Sequence, residues 1–183
     1  MSFLGQIVRD TLSIARKTGG GRLDVRSVAH VALHDGTHVL ALSRMRQAAH
    51  RAHLPFVGSL LRRAQVALFG ADIGRDVQLG EGVIFMHTVG VVIGGDARIG
   101  DRVMFLGNNT IGSLRGTDYP HVGNDVTVGA GARVLGSLTV GDGAVIGANA
   151  VVLRDVPPGM VALGVPATIR SPTARAPREG PSS

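Results

Sequence analysis

The chain has 183 residues and no cysteine, which bounds it to one main domain with a small appendage and excludes a disulfide framework, a thiolate nucleophile and a thiolate metal site. Hydrophobic residues make up 44% but aromatics only 3%, a balance suited to a narrow interior filled by Val, Ile and Leu. The formal charge of +6 favours anionic partners, and without aromatics among the basic residues a small polyanion such as a phosphorylated cofactor fits better than nucleic acid. No run of 18 apolar residues occurs, and Arg9 and Asp10 interrupt any secretory apolar segment. A soluble, cytoplasmic protein is expected.

Residues 1–70 carry helical spacing. Phe3, Leu4, Ile7, Val8, Leu12 and Ala15 predict a first helix that Gly19-Gly20-Gly21 ends. A second helical stretch covers Val28–His50, with Gly36 weakening its middle. Pro55 suits the first turn of a third helix. That helix has an apolar stripe of Val57, Leu60, Leu61, Ala64 and Leu68, with Arg62 and Arg63 facing out. The first helix, with Arg9, Arg16 and Lys17, is expected to pack within its own assembly rather than on an anionic membrane surface. The closing segment 171–183, rich in Pro, Ser, Arg and Gly, reads as a disordered tail.

From Ile73 the rhythm changes to a period of six. Ile73, Leu79, Phe85, Ile93, Ile99, Phe105, Ile111, Val122, Val128, Val134, Val140, Ile146 and Val152 recur in register, and Gly follows most of them. A fixed hexapeptide period is the signature of a parallel β-helix. Each short strand places one large side chain inward, and the small residue after it permits a tight corner. Three hexapeptides make a triangular coil, and stacked coils bury one continuous aliphatic column. Residues 71–170 are therefore expected to form a mainly β domain behind a small α-helical region at 1–70. Two interruptions stand out: Phe85 to Ile93 is eight residues, and Ile111 to Val122 is eleven. Regular coils carry the fold, so a site is expected where they are interrupted.

The stretch Ala71–Ile169 resembles the serine acetyltransferases and their hexapeptide-repeat relatives. The resemblance rests on Phe-Met-His-Thr-Val-Gly-Val-Val-Ile-Gly at 85–94, Thr110-Ile111-Gly112, the loop ending in Pro120 and Val128-Gly129-Ala130-Gly131-Ala132-Arg133. It continues through Ile146-Gly147-Ala148-Asn149-Ala150, Asp155-Val156-Pro157 and Gly164-Val165-Pro166-Ala167. It implies a left-handed β-helix, acetyl-CoA as donor, a small hydroxyl acceptor, no metal, and a homotrimer or dimer of trimers with sites between subunits. By the same resemblance His87 is the general base and Asp72 its orienting partner. A hydroxyl needs such a base, and an imidazole with its ordinary pKa of about 6.5 is suited to the task. Ala130, Gly131 and Ala148 match the groove that holds CoA, with Arg133 and Arg170 as phosphate partners.

The pattern also departs from that family. Met86 stands where these enzymes carry an Asp, Gly95 where they carry a Glu, and Asp118-Tyr119 where they carry Arg-His. The chain ends Pro-Ser-Ser, without the terminal Ile with which many members dock onto cysteine synthase. A pocket rebuilt from Met86, Asn108, Tyr119 and His121 is expected to take a hydroxyl other than that of L-serine, such as one on a sugar or specialised metabolite. Genuine serine acetylation is the alternative. A non-catalytic scaffold is a further competitor, since the fold needs no chemistry to be stable. A γ-type carbonic anhydrase would need three His ligands, and its His-x₄-His pair is absent.

Overall fold

The computed structural model describes residues 3–18 and 25–172. The Gly19-Gly20-Gly21 stop and all of the expected tail beyond Pro172 lie outside the described residues.

The hexapeptides wind into coils. The first holds β1 (Asp72–Ile73), β2 (Gln78–Leu79) and β3 (Ile84–Phe85), and the second β4 (Val92–Ile93), β5 (Arg98–Ile99) and β6 (Met104–Phe105). The third holds β7 (Thr110–Gly112), β8 (His121–Val122) and β9 (Thr127–Val128). The fourth holds β10 (Arg133–Leu135), β11 (Thr139–Val140) and β12 (Val145–Ile146). β13 (Val151–Val152), β14 (Val161–Leu163) and β15 (Thr168–Arg170) close the stack, β15 turning back antiparallel on β14. Equivalent strands pair in parallel to give three faces, ordered β1-β4-β7-β10-β13, β2-β5-β8-β11 and β3-β6-β9-β12-β14-β15.

Register places like on like. Ile73, Ile93, Ile111, Val134 and Val152 pair in sequence up the first face. All of the repeat residues named above are buried. Full burial of one such side chain stabilises by roughly 1.5–3 kcal/mol, so the column is the main source of stability. A second buried column lies two residues earlier, at Val77, Val83, Val91, Ala97 and Val103 among others. Its one amide, Asn109, accepts from Gly107 N–H at 3.0 Å and donates to the Gly129 carbonyl at 2.6 Å, satisfying the polar group it buries. The Phe85 and Phe105 rings stack with centroids 5.4 Å apart.

The N-terminal region is four helices, α1 (Phe3–Thr18), α2 (Val25–Ala32), α3 (Asp35–Arg51) and α4 (Pro55–Phe69). The single helix expected over Val28–His50 is thus divided. The break is at Leu33-His34, where His34 caps α3 by accepting the Gly36 N–H at 3.1 Å. Gly36 is a point of contact rather than of weakness: any Cβ there would run into the Phe85 carbonyl.

The apolar stripe expected to bury α4 is also corrected. Val57, Leu60 and Leu68 are exposed, and the buried residue is Gln65. α4 packs on α3 through polar groups instead. Gln65 donates to Ser43 and accepts from Arg46, a buried arginine that also donates to the Ile73 carbonyl. α1 docks onto the coils of its own chain. Its Asp10, 2% exposed, accepts from Arg44 and from the Gly82 N–H, while Arg44 donates to the Leu79 and Gly80 carbonyls. Among the described residues no helix is long and apolar enough to cross a membrane.

Candidate active site

The first interruption forms the corner between β3 and β4. Two extra residues push Met86, His87 and Val89 into solvent while Thr88 stays buried. Among the described residues no hydrogen bond or ion pair engages the His87 ring, so its nitrogens are open to a ligand. The ring borders a concavity of 470 Å³ that His30, His34 and Asp35 line from the other side.

The same edge of the prism carries the expected cofactor residues. A Cβ at Gly107 would lie 2.9 Å from the His87 Cβ, so successive corners touch. Asn108 N–H donates to the Val89 carbonyl at 3.1 Å and Gly131 N–H to the Gly107 carbonyl at 3.0 Å. Asn149 N–H donates to the Ala130 carbonyl at 2.8 Å. His87, Asn108, Ala130, Gly131 and Ala148 therefore climb one edge, coil by coil. Ala130 and Ala148 are exposed, which leaves the edge shallow enough for an extended ligand to approach the backbone. Arg133 lies beside it, donating to the Asn108 carbonyl and to Asn108 Oδ1. Arg170 is exposed on the final strand.

Asp72 is placed differently. Both its carboxylate oxygens are taken by the Arg62 fork, Nε at 2.9 Å and Nη2 at 2.5 Å. These hydrogen bonds hold its pKa below the ordinary carboxylate range, against the opposing effect of partial burial. Burial pulls the Arg46 pKa down, with Asp72 opposing it. Asp72 lines a second concavity of 460 Å³ with Arg46, His50, Arg62 and Gly95, and within one chain it does not bond to His87. The fork occupies one lone-pair direction on each oxygen, so the carboxylate keeps room for a further donor.

The four acceptor-pocket residues do not converge within one chain. Met86 and Asn108 share the His87 edge. His121 is exposed on β8, on the second face. Tyr119 closes the second interruption and lays its ring over Gly94 and Gly95 of the coil below, filling the space a Cβ at Gly95 would need. The loop before it is held by Asp118, which accepts from Ser113 Oγ at 2.5 Å and Arg115 N–H at 3.0 Å. Those bonds lower the Asp118 pKa, the hydroxyl contributing most.

The placements of four residues were not legible in the sequence. Arg62 reads as an outward charge until α4 ends beside β1. His30, His34 and Asp35 read as a helix interior until the break at Leu33-His34 turns them toward His87. Their spacing of four and five residues was the available signal.

An exposed imidazole at the head of a small-residue edge, on a parallel β-helix of hexapeptides, defines an acyltransferase of the hexapeptide-repeat class. The family profile described as bacterial transferase hexapeptide (six repeats) matches residues 119–154. A serine acetyltransferase from Helicobacter pylori is 40% identical over 135 residues, covering 72% of this chain and 79% of that protein. The chain belongs to the serine acetyltransferase family. One from Mycobacterium tuberculosis is 43% identical over 105 residues, covering 56% of this chain and 46% of the relative. Among solved structures, soybean serine acetyltransferase complexed with serine superposes with a TM-score of 0.82 at 30% identity, over 92% of this chain and 70% of that one. A serine acetyltransferase complex with CoA gives 0.83 at 29% identity, with the same coverage of 92% and 70%.

Proposed function

We propose that the chain transfers the acetyl group of acetyl-CoA to the side-chain hydroxyl of L-serine, with His87 as general base. The observation that carries this is the open His87 ring heading the edge that holds Asn108, Ala130, Gly131 and Ala148. His87 takes the hydroxyl proton as the hydroxyl oxygen attacks the thioester carbonyl. The tetrahedral intermediate collapses with cleavage of the C–S bond, and the CoA thiolate leaves with the proton carried by the imidazolium. CoA runs along the edge past Ala130, Gly131 and Ala148, and Arg133 and Arg170 meet its phosphates. Asp72 keeps a lone pair beyond the Arg62 fork, and we assign its pairing with His87 to the assembled homotrimer or dimer of trimers. There it fixes the imidazole tautomer and stabilises the imidazolium.

The expectation of an acceptor other than serine came from the replaced carboxylates and Arg-His pair. The relatives named above all carry the serine acetyltransferase name, which favours serine. One observation supports the other reading. Tyr119 occupies the space over Gly95, so that part of the pocket is rebuilt, and a sugar or other neutral hydroxyl stacking on Tyr119 would suit it.

Thiol release from acetyl-CoA, with L-serine and a sugar panel, tests both. Serine-dependent release that falls by roughly 10² to 10⁴ in His87→Ala, at unchanged circular dichroism, supports the assignment. Release with a sugar alone moves the acceptor to the second reading. An H87A variant as active as the parent overturns the role of His87.

A further inference from the structure

The concavity in front of His87 has a far wall made by the α2–α3 junction, and that wall is chemically bipolar. His34 caps α3 with its Nδ1, accepting the Gly36 N–H at 3.1 Å. An accepting Nδ1 leaves the ring proton on Nε2, so in the neutral ring the free nitrogen is an N–H donor. The donor sits at the N-terminus of a 17-residue helix, where the macrodipole also favours negative charge. His30 stands beside it on α2. Asp35, the next residue along, is exposed and supplies a carboxylate to the same concavity. A fixed donor, a carboxylate and the base His87 thus border one space of 470 Å³.

We infer that the α2–α3 junction is the acceptor's recognition wall, Asp35 binding the ammonium and His34 Nε2–H the carboxylate of a β-hydroxy-α-amino acid. This rests on the serine reading of the site, whose acceptor carries both an ammonium and a carboxylate. The base borders the same concavity as both, so an amino acid held there at its two charged ends would have its hydroxyl within the space that the imidazole lines.

The test is a grid of variants against truncated acceptors, using full-length protein and acetyl-CoA. Asp35→Asn removes charge at constant shape. His34→Asn keeps a cap acceptor for Gly36 N–H, so α3 stays capped, but cannot reach as Nε2 does. The acceptors are L-serine, 3-hydroxypropionate, which lacks the ammonium, and ethanolamine, which lacks the carboxylate. D35N should raise KM for L-serine and ethanolamine about tenfold or more and leave 3-hydroxypropionate within about twofold, as the loss of one charge-assisted bond requires. H34N should do the converse, sparing ethanolamine. A merely structural role would move all three acceptors together, and that result overturns the inference. So does L-serine turnover unaffected by either variant, which leaves the function standing. Turnover of sugars alone by the parent overturns both this wall and the serine acceptor while keeping acetyl transfer. No thiol release with any acceptor overturns the enzymatic reading itself.

Discussion

Asp10 and Arg44 form the joint between the helical region and the β-helix, and their side chains are each 3% exposed. Arg44→Met deletes the cation and leaves the Asp10 carboxylate buried with, among the described residues, the Gly82 N–H at 2.9 Å as its remaining donor. It also strips the Leu79 and Gly80 carbonyls of their donor. Breaking one side of a buried pair costs about 3–5 kcal/mol, and for a chain of this size that lowers Tm by roughly 6–20 °C. Asp10→Asn is milder, because an amide oxygen still accepts from Gly82 and Arg44 keeps both carbonyls; about 1–3 kcal/mol is expected. The double variant D10N/R44M removes both charges and should cost less than the sum of the singles by about 1–3 kcal/mol. Urea unfolding at one fixed protein concentration measures all four proteins, since assembly would otherwise shift the midpoints. An R44M variant within about 1 kcal/mol of the parent, or strict additivity in the cycle, would refute the reasoning. It would mean that the joint is carried by apolar contact of α1 and α3 alone.

Other substitutions have distinct signatures. Gly36→Ala drives a methyl into the Phe85 carbonyl, which is backbone and cannot swing away, so we expect loss of about 1–3 kcal/mol, read by thermal unfolding. Gly95→Ala meets the Tyr119 ring first, at a φ of +57°; it should cost about 1–2 kcal/mol and change acceptor kinetics through the displaced ring, while CoA affinity stays constant. Phe105→Ala opens a cavity against the Phe85 ring and should cost about 3–5 kcal/mol by urea midpoint. Asp125, held below the ordinary carboxylate pKa by the Arg102 fork, stabilises fully above about pH 4, the unfolded-state value, and loses that contribution as pH falls through its lower folded pKa. Asp125→Asn should therefore flatten the acid limb of a stability–pH curve below about pH 4, and a limb unchanged in that variant would exclude the pair as a contributor.

The period of six was sufficient to determine the β-helix, its inward residues and its interruptions. The reason is that a coil has only local degrees of freedom: each hexapeptide must bury one side chain and turn one corner, so the sequence states the structure repeat by repeat. The same period marked His87 as lying inside the first interruption, whereas its role as base and the cofactor roles of Ala130, Gly131 and Ala148 came from the family resemblance. The helical region was less legible, because hydrophobic spacing assumes that helices bury apolar stripes. α4 buries Gln65 against Arg46 and Ser43 instead and leaves Leu60 and Leu68 outside. The break at Leu33-His34 lies two residues before Gly36, the one weak point that the spacing showed in that stretch. Only the tertiary structure decided that Arg62 holds Asp72 and that His34 and Asp35 line one concavity with His87. These juxtapositions join segments whose separation in sequence carries no period, and they are set by how the helices dock on the coils.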